Sequence, residues 1–271
     1  MIQLLHLAAL SGYLGAWALF VRAFREGGDD LSSYGWKVTA AAGALHVGAL
    51  VGFAVRHGTL PLSGLGPASS TLALLIVLLV VVASFRADVR PTALFLLPLV
   101  LLLLTEALVV GVRPAGQQTA FRGIWFAAHV TITFLGYAGL ALASAAALMY
   151  VLQFRTLKQK DFGSVFRFFP SLDTLDRLNR LGLEIGLAAL TVGLATGWSW
   201  TLTYGRGLEL GNPQVIFGIV TWVTYLGAVV LRVLPGGRNE RSATATVGAF
   251  VLTAAVFGVL RVTGGGSGFF L

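Results

Sequence analysis

Two of the four histidines in this chain lie inside long apolar runs. His46 falls in AAGALHVGALVGFAVRH, near the middle of the apolar run 36–55. His129 falls in GIWFAAHVTITFLGY, one helical turn past Trp125 and so about 6 Å inward from that end. His6 begins the first apolar run and His57 closes the second. In an apolar medium an ionisable ring needs a partner or a task. One solution is an interhelical hydrogen bond to a serine, a threonine or a backbone carbonyl. The other is ligation, because a neutral imidazole is a good axial ligand for haem iron and a dry apolar cavity suits the porphyrin body. The depths of His46 and His129 differ by roughly 10 Å, both at or outside the midplane, so an upright tetrapyrrole could stand between them. On that reading His46 and His129 are the metal ligands. Trp125, Trp198, Trp200 and Trp222 are then candidates to line the cleft, with Trp125 and Trp222 placed in the cofactor site.

Other chemistry finds less support. A zinc protease would carry two histidines and a glutamate closely spaced on one helix, and no such motif exists. A pump or channel would carry chains of acids, whereas the one deep acid is Glu106, with Glu184 nearer the cytoplasmic end; a structural role is expected for Glu106. Gly264–Gly268 lacks the Lys-Ser/Thr ending of a phosphate loop and reads as a flexible tail. No cysteine is present, which excludes disulfides and thiolate sites. Nothing resembles a nucleophile–base pair, so the chain is not expected to be an enzyme.

The elements that must position these rings follow from composition. Of 271 residues, 56% are hydrophobic and only 11% charged, too few to clothe a water-facing surface. Eight apolar segments, at about 2–21, 36–55, 68–85, 91–112, 124–153, 181–203, 213–232 and 244–262, each approach or exceed the length that spans hydrocarbon. The expected fold is therefore all-α: a polytopic membrane bundle of about eight transmembrane helices, forming one domain over residues 1–271. The 34 glycines fit close helix–helix approach. Sorting Lys and Arg by connection gives fourteen on one side and five on the other, which puts the first set in the cytoplasm and both termini outside. The net charge of +8 is thus mostly topogenic, with attraction to anionic lipid headgroups. Nucleic-acid binding is not expected, since no aromatic–basic interleaving supports it. The longest hydrophilic connection, 154–180, mixes basic residues with Phe162, Phe166, Phe168 and Phe169. It reads as a cytoplasmic amphipathic segment lying at the interface, or as a docking surface.

Several of these stretches resemble a known family. His46, Arg56 and GTLPLSGLGPASSTLALL are similar to the cytochrome c assembly family, where a membrane histidine precedes an outer loop of the type P-L-S-N-L-Y-E-S. WFAAHVTITFLGYAGLALASAAALMYVLQ resembles its histidine-bearing helix, with a Gly/Ser-Tyr-Ala step and a closing Tyr-Leu-Gln. Leu175–Asn179 (LDRLN) resembles its cytoplasmic L-D-x-L-N lead-in, and Thr221–Tyr225 through Arg232 its I-T-W-L-V-Y…R helix. The tryptophan-rich W-G-x-x-W-x-W-D loop is absent: TLTYGRGLELGNPQ stands there, and no second outer histidine follows Trp200. The chain therefore looks like the shorter, HemX-like branch.

That resemblance implies a multi-pass protein of the bacterial cytoplasmic (inner) membrane. It would hold or pass non-covalent, b-type haem in support of cytochrome c maturation or haem homeostasis. His46 and His129 carry over as the membrane histidine and the first outer histidine. Partners would be haem, the lipid bilayer, and other cytochrome c assembly proteins or a haem-biosynthesis enzyme. The HemX-like branch also implies an alternative: a haem-free regulator of glutamyl-tRNA reductase level, acting through segment 154–180.

Overall fold

A computed structural model describes residues 1–27, 29–85, 88–114, 123–160, 163–203, 212–234 and 240–263. Those residues form α1 (Ile2–Glu26), α2 (Asp29–His57), α3 (Leu65–Ser84), α4 (Ala93–Val110), α5 (Ile124–Lys158), α6 (Ser164–Phe168), α7 (Leu172–Thr203), α8 (Pro213–Val233) and α9 (Glu240–Thr263). All but α6 are long and apolar enough to cross a membrane, which gives the eight expected spans. Helices are the form that closes every backbone hydrogen bond within the segment, as hydrocarbon demands. Large apolar side chains such as Leu102, Val109, Leu181 and Val251 point outward, where lipid replaces water.

Several segments reach beyond their apolar cores. α2 begins at Asp29, so His46 sits eleven residues from its His57 end and in the half that also holds Met1. α5 spans 35 residues, about 52 Å at ~1.5 Å per residue, and projects past the hydrocarbon at its Arg155–Lys158 end. The connection expected over 154–180 is mostly absorbed: 154–158 completes α5, 164–168 forms α6, and α7 starts at Leu172. Phe168 and Phe169 turn inward there and pack on Phe24 of α1, while Phe169 also meets Phe95 of α4. Phe162 lies outside the described residues.

α5 is the most enclosed span, and its tightest neighbour is α7. Small residues explain the approach. A Cβ on Gly182 would stand 2.7 Å from the Gly139 carbonyl, and one on Gly139 would stand 3.0 Å from Gly186 Cα. With no side chain between them, the two backbones gain van der Waals contact, the attraction that membranes leave available. α1 lies against α2 in the same way at Gly12 and Ala42. Its buried face repeats at three- and four-residue steps: Ile2, His6, Ala9, Tyr13, Ala16, Phe20 and Ala23.

Pro98 interrupts the ladder of α4, since it has no N–H to give Leu94. The Trp17 indole N–H of α1 donates to that Leu94 carbonyl at 3.2 Å. A helix breaker in apolar surroundings is thereby satisfied by a neighbouring helix. In the connection before α4, Arg90 donates twice to Asp88, at 2.7 and 2.6 Å, and this hydrogen bonding holds the Asp88 carboxyl below the usual carboxylate range.

Candidate functional site

The bundle holds two imidazole sites, one among α1–α3 and one between α5 and α7. In the first, Ser70 sits five residues into α3, between two rings. His6 Nε2 lies 3.0 Å from Ser70 Oγ and His46 Nε2 lies 2.9 Å from the same atom. His6 Nδ1 is 2.9 Å from the Ile2 carbonyl, and Tyr13 Oη is 3.3 Å from His46 Nδ1. The two rings meet edge-on with centroids 5.6 Å apart. His6, Tyr13, His46 and Ser70 are all fully buried.

With both rings neutral, one order of protons satisfies every bond. A carbonyl accepts only, so His6 Nδ1 donates to Ile2 and His6 Nε2 must accept from Ser70. The single Ser70 proton is then used, so His46 Nε2 donates to Ser70 Oγ. His46 Nδ1 is left to accept from Tyr13. The result is a closed chain across three helices, Tyr13 to His46 to Ser70 to His6 to Ile2. It is the hydrogen-bonding solution among the two anticipated for a buried histidine.

Ser70 is the middle of three consecutive hydroxyls, which helical geometry fans out by about 100° each. Ser69 donates to Glu106 of α4 at 2.9 Å, and Thr71 donates to the Pro61 carbonyl at 2.6 Å. Glu106, the deep acid of the sequence, is thus bound to α3. An apolar groove lies along the α2–α3 seam, lined by Val47, Leu50, Val51, Leu60, Pro61 and Leu74. Leu50 and Leu74 are each one turn along from His46 and Ser70.

The second site is built on glycine. Gly197 of α7 leaves the space into which His129 of α5 lies, since a Cβ there would stand 2.8 Å from His129 Cε1, and Gly193 leaves the space for Thr133 one turn further along α5. His129 Nδ1 donates to the Gly193 carbonyl at 2.8 Å, with Thr196 Oγ1 at 3.3 Å. That bond fixes the tautomer and leaves the lone pair on Nε2, the form in which imidazole ligates metals. His129 is half-buried, and its Nε2 has no hydrogen-bond partner among the described residues.

Among the described residues, no hydrogen bond or ring contact joins His46 to His129; the structure pairs His46 with His6 instead. Trp125 is 66% exposed at the start of α5. Trp222 of α8 donates its indole N–H to Thr191 of α7 at 2.8 Å. The Trp200 side chain and the 264–268 tail lie outside the described residues. His57 is exposed and rests on Phe53. Sequence reasoning placed His6 only at the membrane boundary and did not single out Tyr13 or Ser70. The usable signal was His6 and Tyr13 at i and i+7 on the one buried stripe of α1.

No three His, Cys, Asp or Glu side chains converge among the described residues. A haem iron, most of whose positions the macrocycle fills, asks a protein for only one or two imidazoles. His129 fits such a group as it stands. His46 has both nitrogens engaged and fits only when the Ser70 bond is given up.

Motif stretches that are distant in sequence also meet. Arg232 of α8 donates to Asp176 of α7 at 2.6 Å, with its side chain 8% exposed. Ser144 of α5 gives its proton to the Leu140 carbonyl, so the Tyr225 hydroxyl of α8 donates to Ser144 across 2.9 Å.

Comparison with known proteins accords with these features. Residues 41–265 match the family described as Cytochrome C assembly protein. The chain is 26% identical over 185 residues to the cytochrome c biogenesis protein CcsA of Welwitschia mirabilis, covering 58% of this chain and 61% of that one. It is 32% identical over 143 residues to an uncharacterized 28.8 kDa protein of Azospirillum brasilense, covering 52% of each. A shorter match, 33% over 73 residues, joins it to protein HemX of Brevibacillus brevis, with 26% and 27% covered. The matched part thus spans about half to three-fifths of the first two relatives. Because the family match runs from α2 through α9 and takes in His46, Ser70 and His129, the chain belongs to the cytochrome c assembly protein family.

Proposed function

We propose that this multi-pass membrane protein holds haem in the half of the bilayer that contains Met1 and Gly123, in support of cytochrome c maturation. It would lie in a bacterial cytoplasmic membrane and act by holding or passing non-covalent, b-type haem, not as a catalyst. Other assembly proteins would be its partners. The observation that carries this reading is the Gly193–His129 bond, which orients the ring and leaves its lone pair on Nε2. His129 would be a resident axial ligand and His46 a second, beside the apolar groove of the α2–α3 seam. Haem would supply a redox-active iron. The chain's own part is to orient the imidazoles, exclude water and enclose the porphyrin edge.

The HemX-like alternative, a regulator working through the 154–180 connection, draws less support. Phe168 and Phe169 are committed to packing against α1, and Phe169 also to α4. The deciding experiment is a visible spectrum of the detergent-purified chain after haem addition, before and after dithionite. A Soret band that His129→Ala or His46→Ala weakens is expected. A colourless wild type, or a band in both variants unchanged from wild type, overturns the reading.

A further inference from the structure

We propose that the bundle is two lobes that swing about a pivot of aromatic rings at its arginine-rich end, so that the gap between them varies most at the end holding Met1 and Ile124. α1–α4 form one packed group, and α5, α7, α8 and α9 form the other. α5 is the wall they share. Its Ala138, Ala141, Leu142, Ala145 and Ala146 join the core of the first lobe, with Leu178 of α7, while Leu140 and Ala143 join Leu183, Tyr225 and Ala249 of the second. Among the described residues, the side-chain hydrogen bonds and ion pairs that join helices lie inside one lobe. Trp17–Leu94, His46–Ser70 and Ser69–Glu106 hold the first. His129–Gly193, Tyr225–Ser144, Trp222–Thr191 and Arg232–Asp176 hold the second. Between the lobes the contact is apolar, and in hydrocarbon such contact has no hydrophobic drive behind it.

That contact is also uneven along the membrane normal. Every residue of α5 from Ala138 to Ala147 is buried, yet none from Ile124 to Thr133 is. At the opposite end Phe169 ties the lobes together. It meets Phe24 of α1 and Phe95 of α4, and packs with Met149 of α5 and Leu175 of α7. α6 bridges α1 and α5 there, and its Phe168 also rests on Phe24. Helix groups held at one end and uncovered at the other move as levers. A rotation of about 10° over the ~30 Å hydrocarbon core displaces the free ends by roughly 5 Å. His46 rides on one lobe and His129 on the other, so the swing sets the separation of the two imidazole sites. It needs no ligand and stands apart from the haem-holding reading.

The test is pulsed electron paramagnetic resonance on spin-labelled cysteine pairs, which this cysteine-free chain accepts without background. The full chain is measured in lipid nanodiscs with no haem added. Val55→Cys with Ile124→Cys spans the lobes at the Met1 end, and Phe85→Cys with Arg177→Cys spans them at the pivot end; all four positions are exposed. Leu4→Cys with Val55→Cys, and Ile124→Cys with Leu202→Cys, are references within each lobe. The distance distribution of the first pair is expected to be about twofold broader than those of the other three. Equal widths in all four pairs, or a pivot pair as broad as the first, overturn the proposal. Phe169→Ala is expected to broaden the pivot pair towards the first, and a folded Phe169→Ala chain that leaves it narrow overturns the pivot. The four pairs in the otherwise unaltered chain decide the swing whether or not that variant folds.

Discussion

Arg232 closes on Asp176 at 2.6 Å and also reaches its backbone carbonyl at 3.1 Å, tying the start of α7 to the end of α8. Asp176 stands in LDRLN and Arg232 ends the helix that begins PQVIFG, so two motif stretches far apart in sequence are one contact in space. The Arg232 side chain is 8% exposed against 28% for Asp176, which makes the guanidinium the more dependent partner. Removing Asp176 leaves that cation enclosed without its counterion. Asp176→Ala is expected to destabilise the chain by roughly 2–4 kcal/mol. Thermal unfolding in detergent would measure it. Asp176→Ala with Arg232→Met should recover part of the loss, and a strictly additive double variant would show that the pair is not coupled.

The α5–α7 seam allows a sharper steric prediction. A Cβ at Gly182 would meet backbone atoms of Gly139 and Ala143 at 2.7 and 2.8 Å, which no rotamer change can relieve. Gly182→Ala is therefore expected to part the helices at a loss of roughly 1–3 kcal/mol. Gly48→Ala and Gly227→Ala meet nothing within 4 Å and are expected to leave the melting temperature unchanged or slightly higher. Equal behaviour of all three variants would count against the seam.

The spans were legible because hydrocarbon thickness imposes a minimum apolar length, and all eight segments reappear as helices. Their ends were not. α2 gains Asp29–Gly35 and α5 gains Phe154–Lys158, because polar and charged residues can continue a helix beyond the oil without breaking its ladder. His46 and His129 were legible as residues that needed partners. Which partners they found was not, because that depends on which faces of which helices meet. His6 was set near the boundary and His46 near the midplane, yet both reach Ser70, since α2 extends further than its apolar core. The three hydroxyls of Ser69, Ser70 and Thr71 carried no periodic signal, as consecutive residues on a helix face three different neighbours.

The sidedness of the bundle is open to direct measurement because the chain has no cysteine of its own. Gln159 follows α5 on the arginine-rich end, and Leu60, 57% exposed, lies in the connection between α2 and α3 on the other. Lys and Arg favour the cytoplasmic face. Gln159→Cys is expected to resist an impermeant maleimide applied to intact cells, and Leu60→Cys to react with it. The reverse pattern would invert the orientation and put both imidazole sites in the cytoplasmic half.

Gly197 separates the loss of a ligand from the loss of its aim. A Cβ there would lie 2.8 Å from His129 Cε1 and 3.2 Å from Nδ1, so the ring must swing off the Gly193 carbonyl. The imidazole remains in the chain, but neither its tautomer nor its direction is fixed. Groups that orient a metal-ligating histidine commonly govern 10–100-fold of affinity, so Gly197→Ala is expected to raise the haem Kd by about tenfold or more. The Soret band of whatever haem binds should also broaden or shift, because the ligand field is no longer uniform. Gly197→Ala titrating like wild type, beside a His129→Ala variant that loses haem, would show that the Gly193 bond does not prepare this ring. His129 would then bind by a geometry unlike the one that Gly193 and Gly197 create.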